Sequence, residues 1–196
     1  MPETATKITV ETLSGTESRA FRPALIDLLA DAVAADAAVG FLDPLSMDQA
    51  VGYWERVFVE VEANRRLILV VRDAERIIGA VQLGFPACTN ADHRAEAKNL
   101  IVHTSARHHG LGTALMLAAE EASLARGRRL LTIHTRAGDP ACKLLEKVGY
   151  SRAGVIPGHA RSPSGRLHGT AIYYRDLSNS DALMLGENGS FAREDR

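Results

Sequence analysis

Residues Arg107-His108-His109-Gly110-Leu111-Gly112-Thr113 hold the densest group of anion-binding features in the sequence. Two glycines leave backbone amides uncovered. The apolar positions that follow, 111, 114, 115, 118, 122 and 125, have helical spacing. A helix N-terminus offers free N–H groups and the positive end of its dipole. Arg107 and His108 add side-chain charge, and the whole suits a pyrophosphate. Leu115 stands where a dinucleotide fingerprint needs its third glycine, and no Gly-Lys-Ser/Thr occurs for a P-loop. The plainer reading is a glycine turn before a helix, with Arg107 solvated.

Other reactive groups are scattered. His103, His108 and His109 come without a His-Glu-x-x-His or Cys-x-x-Cys pattern, so no metal site is expected. Cys88 and Cys142 cannot build a disulfide framework, which points to a reducing compartment. Cys142, early in a helix, could carry an activated thiol, but packed cysteines are commoner. Arg161, Arg166 and His168 suit a carboxylate ligand, because arginine binds carboxylates in a two-pronged fork; a solvated basic loop fits them equally. Tyr53, Trp54 and Phe58 read as a pocket wall or as core.

The elements that must position these groups follow from periodicity. Lys7–Leu13 alternates as a strand. Ser14 with Glu17, and Ser46 with Gln49, read as capping boxes. They start helices over Thr16–Ala35 and from Ser46 to about Asn64. Leu67–Val71 and Ile77–Phe85 are strands joined by Asp73-Ala74-Glu75, and Pro86–Asp92 is a loop. Arg94–Val102 is a strand, Leu111–Arg126 a helix, and Leu130–Thr135 a strand. Asp139 as N-cap with Pro140 at the first helical position starts a helix that Gly149 ends. Tyr150–Ile156 and Thr170–Tyr174 are the last strands, separated by a long loop, Pro157–Gly169. The order β-α-α-β-β-β-α-β-α-β-β implies an α/β fold with a mixed sheet and helices on both faces. The hairpins are antiparallel, and the unit from 94 to 135 is a parallel crossover.

Composition agrees with that picture. The 196 residues are 46% hydrophobic and 24% charged, values of a globular chain. We expect one domain over 1–177 and a polar tail over 178–196. Lys and Arg total 23 and Asp and Glu 24, a net charge of -1. That lacks the field that drives non-specific nucleic-acid binding, so a nucleic-acid partner is not expected. No apolar run approaches the roughly 18 residues of a membrane span. No membrane contact and a cytoplasmic location are the expectation.

Arg-x-x-Gly-x-Gly after Leu100-Ile101-Val102 resembles the acyl-CoA pyrophosphate loop of the GNAT N-acetyltransferase superfamily. The element order from about residue 5 to 177 resembles that fold too, a mostly antiparallel sheet of six to seven strands with one splayed parallel pair. Ala38-Val39-Gly40-Phe41, Arg94-Ala95-Glu96, Ser105-Ala106-Arg107, Ala137-Gly138 and the run Gly165 to Tyr173 resemble its tabtoxin-resistance branch.

The resemblance implies an acetyl-CoA cosubstrate, no metal, and direct attack by a small-molecule amine. Ile101 and Val102 would pair with the pantetheine arm. Arg107, His108, His109, Gly110, Leu111, Gly112 and Thr113 would hold the pyrophosphate. An alkyl amine is mostly protonated at pH 7, so a proton acceptor is required. Glu96 is the first candidate and His134 the second; a surface Glu96 paired with Arg94 or Lys98 is the plainer alternative. Phe41, Asp43, Arg166, His168 and Tyr173 would contact the acceptor. Relatives carry a tyrosine acid where Leu145 stands, so the usual proton donor is missing. An amino-acid-like antibiotic is the sharpest acceptor implied, with resistance as the role. Another metabolite, a protein N-terminus, a non-catalytic acyl-CoA sensor and a nucleotide-binding module are the competing readings. The chain would act as a monomer or homodimer.

Overall fold

Two capping boxes open the helical first third of the chain. Ser14 Oγ accepts from the Glu17 N–H, and the Glu17 carboxylate accepts from the Ser14 N–H at 3.2 Å. Ser46 and Gln49 make the same exchange, at 3.2 and 3.1 Å. Each cap satisfies donors that the first turn leaves free and is worth about 1 kcal/mol. The structure, a computed structural model, describes residues 8–162 and 164–178. Apart from Ser178, the expected tail lies outside the described residues.

The elements are β1 (Glu11–Leu13), α1 (Gly15–Ala20), α2 (Arg22–Ala34), α3 (Met47–Glu62), β2 (Arg66–Asp73) and β3 (Arg76–Gly84). They continue with β4 (Arg94–Val102), α4 (Leu111–Leu124), β5 (Leu130–Arg136), α5 (Pro140–Lys147), β6 (Ser151–Arg161) and β7 (Leu167–Asp176). The helix expected over Thr16–Ala35 is two helices, broken at Phe21. Pro23, in the first turn of α2, has no N–H to continue the preceding helix, and its ring excludes the carbonyl four residues back. The loop expected over Pro157–Gly169 is a hairpin, because β6 runs to Arg161 and β7 starts at Leu167. Gly158, at φ +62°, admits the irregular pairing between Ile156 and Ala160 that hid this strand from its pattern.

Among the described residues seven strands form one sheet in the order β1-β2-β3-β4-β5-β7-β6. β4 and β5 are parallel; the other neighbours among these strands are antiparallel. One face packs α4 and α5 over Leu83, Ala95, Leu131, Ile133 and Tyr173. The other packs α2 and α3 over Ile68, Val70, Ala80 and Ile101. Among the described residues no helix is long and apolar enough to cross a membrane.

The parity of β4 changes along its length. Ala95 and Ala97 face the α4 side, whereas Ile101 faces the α2 side. Strict alternation would put all three on one face. Gln82 pairs with Lys98 and Ala80 with Ile101, so β4 spends three residues where β3 spends two. The extra residue is absorbed at Asn99, whose φ is +48°.

Candidate active site

The pairing of β4 with β5 ends at Ala97 and Ile133. Beyond that point the two strands separate. The gap has room on both faces of the sheet, a cleft of about 680 Å³ and a cavity of about 580 Å³. The two spaces meet at Asn99, His134, Thr135, Arg136 and the segment Asp36–Val39, all of which line both.

The larger space runs from β4 to the N-terminus of α4. Ile101, Val102, Arg107, His108, Gly110, Leu111, Gly112 and Thr113 line it, while His109 does not. Gly110 is the N-cap of α4, left-handed at φ +80°, and offers no side chain to cap the helix. The N–H groups of Leu111, Gly112 and Thr113 therefore stay available to an anion. His108 also has a positive φ, +67°. Arg107 is held back toward β4 by a hydrogen bond from its Nε to the Val102 carbonyl, at 3.3 Å. A Cβ added at Gly112 would lie 2.6 Å from Leu144 Cδ1, and Leu144 lines the same cleft. A larger residue at 112 would turn that side chain. Lys143 and Lys147 of α5 make the far wall cationic. An uncapped helix start, a turn without side chains and basic walls fit an elongated ligand bearing phosphates.

The smaller space lies on the α2–α3 side. Glu96 and Lys98 project into it from β4, joined by an ion pair of 3.0 Å. His134, exposed, enters from β5. Phe41 closes one wall and meets the Tyr53 ring edge-on, with centroids 5.2 Å apart. Arg136 makes a pair with Asp36 in which Arg136 Nη1 lies 2.9 Å from Asp36 Oδ2. That contact holds the Asp36 carboxyl below the ordinary carboxylate range. Asp139 is pushed the other way by its burial. His159 bonds Thr170 Oγ1 at 3.0 Å, and both line the cavity beside His168 and Arg161.

Several expected contacts lie elsewhere. Tyr173 is fully buried on the opposite face, where its hydroxyl donates to Glu146 Oε1 at 2.8 Å. It pairs with Ile133 across the sheet, and cross-strand partners share a face. Asp43 and Arg166 line neither space. Arg166 sits in the turn of the β6–β7 hairpin, with its carbonyl accepting from Ser162. Leu145 is also fully buried, in the core beneath α5; Leu144 is the residue of that turn that faces the cleft. Sequence reasoning alone does not point to Asn99, Arg136 or Asp36. The junction they form depends on register and on the end of α2, which leave no local pattern.

The sequence profile of the Acetyltransferase (GNAT) family matches residues 26–150. An uncharacterized N-acetyltransferase in the hisH–hisA intergenic region of Azospirillum brasilense is 35% identical over 114 residues, 57% of this chain and 66% of that protein. The chain thus spans slightly less than two thirds of that relative. A phosphinothricin acetyltransferase from Sinorhizobium meliloti, solved with acetyl-CoA, superposes with a TM-score of 0.75 at 20% identity, over 89% of this chain and 90% of its own. A ribosomal-protein-alanine N-acetyltransferase from Brucella melitensis superposes with a TM-score of 0.72 at 19% identity, over 86% and 99% of the two chains. At those identities the likeness is one of fold.

Proposed function

Since the chain belongs to the GNAT acetyltransferase family, we propose that it moves the acetyl group of acetyl-CoA onto the amine of a small molecule by direct attack. The observation that carries this reading is the junction beyond Ala97 and Ile133, where a phosphate-suited cleft meets a polar cavity through the sheet. One space suits the donor and the other the acceptor, and the reacting atoms would meet between them.

Bound acetyl-CoA supplies an activated acetyl thioester. The free amides at the start of α4, with Arg107 and His108, would hold its pyrophosphate. Ile101 and Val102 would pair with its pantetheine arm along the edge of β4 that β5 leaves open. On the other side, Glu96 takes the proton that the amine must lose, directly or through one water. Its ion pair with Lys98 holds the carboxylate along the cavity wall. His134 stands at the junction as a second proton carrier.

In the wall of the acceptor cavity Arg66, Lys98 and Arg136 are each paired with a carboxylate, of Glu60, Glu96 and Asp36, whereas the partner of Arg161 is the Gly165 backbone carbonyl. The Arg161 charge favours an amine that carries a carboxylate. Phosphinothricin and tabtoxinine-β-lactam are such amines, and antibiotic resistance would be the corresponding role. The test is acceptor-dependent release of CoA thiol from acetyl-CoA over a panel of amines. Release with amino-acid-like amines supports the reading; no release with any amine overturns it.

A further inference from the structure

We propose that the Tyr53 hydroxyl is the specificity-determining hydrogen-bond donor of the acceptor cavity, selecting amines that carry an oxygen acceptor such as a carboxylate. This rests on the acetyltransferase reading above.

The orientation of the hydroxyl is dictated from outside the cavity. Glu60 Oε2 accepts from Arg66 Nε at 2.6 Å. A guanidinium has only donors, so the Gln82 atom 2.5 Å from Arg66 Nη1 is the amide oxygen. The other end of Gln82 must then present its NH2 group, 2.6 Å from the Tyr53 oxygen. Gln82 is 1% exposed, so water cannot reverse this order. Asn99 Nδ2 donates to the same oxygen from the β4 bulge, also at 2.6 Å. A phenolic oxygen has one proton to give, and here its accepting positions are filled by two donors.

The proton of Tyr53 has no acceptor among the described residues, and Tyr53 lines the cavity. Burial raises its pKa, so the group stays a neutral donor. The edge-on contact with Phe41, at 87°, fixes the ring plane. A ligand facing this hydroxyl must therefore offer a lone pair. An ammonium has none, and an attacking amine needs its lone pair for the acetyl carbon. The complementary group is an oxygen elsewhere on the acceptor, and an anionic oxygen also suits Arg161, which lines the cavity and whose partner is a backbone carbonyl. A buried donor left unmatched is costly, which is how such a site rejects the analogue lacking its partner.

The experiment compares amines in matched pairs, several α-amino acids whose side chains carry no oxygen each beside its decarboxylated amine, by acceptor-dependent CoA release. Wild type should favour the carboxylate member. Tyr53→Phe should lower kcat/KM for that member about ten- to hundredfold, leave the decarboxylated member within about twofold, and leave acetyl-CoA affinity unchanged. Gln82→Glu should act like Tyr53→Phe with the phenol intact, because the new carboxylate accepts the Tyr53 proton and withdraws it from the cavity. Equal loss for both members of each pair would overturn the proposal and mark Tyr53 as structural or as a proton donor to the leaving thiolate. Wild-type turnover with no preference for the carboxylate member would overturn it while leaving the acetyltransferase reading intact. Absence of CoA release with every pair would overturn both.

Discussion

Arg136, at the end of β5, donates two hydrogen bonds to Asp36, just past the end of α2, at 2.9 and 3.3 Å. The pair spans the junction at which the two cavities meet, and both residues line both spaces. Asp36 has a left-handed φ of +56°, so the contact also fixes how the chain leaves α2. Asp36→Asn should raise KM for both acetyl-CoA and the amine and change kcat little, as read by steady-state kinetics with each substrate varied. Arg136 holds the Asp36 carboxyl below its ordinary range. The contact should therefore be intact above about pH 4 and be lost only as pH falls through the lowered native value. A wild-type stability profile should show that acid-side loss, and Asp36→Asn should remove this part of it.

Glu96 lines the smaller cavity, and its proposed role is to take the amine proton. Glu96→Gln keeps the shape and removes the basicity. General base catalysis is typically worth about 10²- to 10⁴-fold, so kcat should fall within that range while KM for acetyl-CoA stays nearly constant. An unchanged kcat would remove Glu96 from the mechanism.

Arg161 and Arg166 lie close together in the β6–β7 hairpin yet differ in reach. Arg161 lines the smaller cavity, and its Nη1 contacts the Gly165 carbonyl at 3.4 Å; Arg166 lines neither space. Arg161→Ala should raise KM for a carboxylate-bearing amine about tenfold or more, as loss of a charge-assisted hydrogen bond requires. Arg166→Ala should leave that KM within about twofold, the usual scale of a surface substitution. Equal effects of the two substitutions would contradict the outline of the cavity.

Leu145 stands where the resemblance leads one to expect a tyrosine acid. The side chain there is fully buried in the core. Leu145→Tyr should consequently destabilise the fold by about 1–3 kcal/mol, through overpacking, without raising kcat. Thermal unfolding together with turnover reads both effects. A gain in kcat would show that position 145 reaches the leaving group.

Much of this architecture is legible in local sequence. The serine caps, the Asp139-Pro140 helix start and the bounds of β4 follow from short-range chemistry, and the fold class follows from their order. What escaped depends on partners distant in sequence. Tyr173 and Tyr174 alternate, and no local signal says which faces which way; pairing with Ile133 and Thr132 decides it. The bulge at Asn99 exists because β3 and β4 differ by one residue in register, a property of two strands together. Tyr53 reads on its helix as wall or core, and only Gln82 and Asn99, from two other strands, give its hydroxyl a direction. The turn at Gly110 is legible as an uncapped helix start because glycines before a helix act through backbone alone.

The most direct measurement is a calorimetric titration of the protein with acetyl-CoA, with CoA and ATP as controls. The account predicts saturable acetyl-CoA binding with a dissociation constant between about 1 μM and 1 mM, the range of ordinary substrate constants, and much weaker binding of ATP. No binding of acetyl-CoA, or equal binding of ATP, would contradict it and leave the turn at Gly110 as an ordinary helix start.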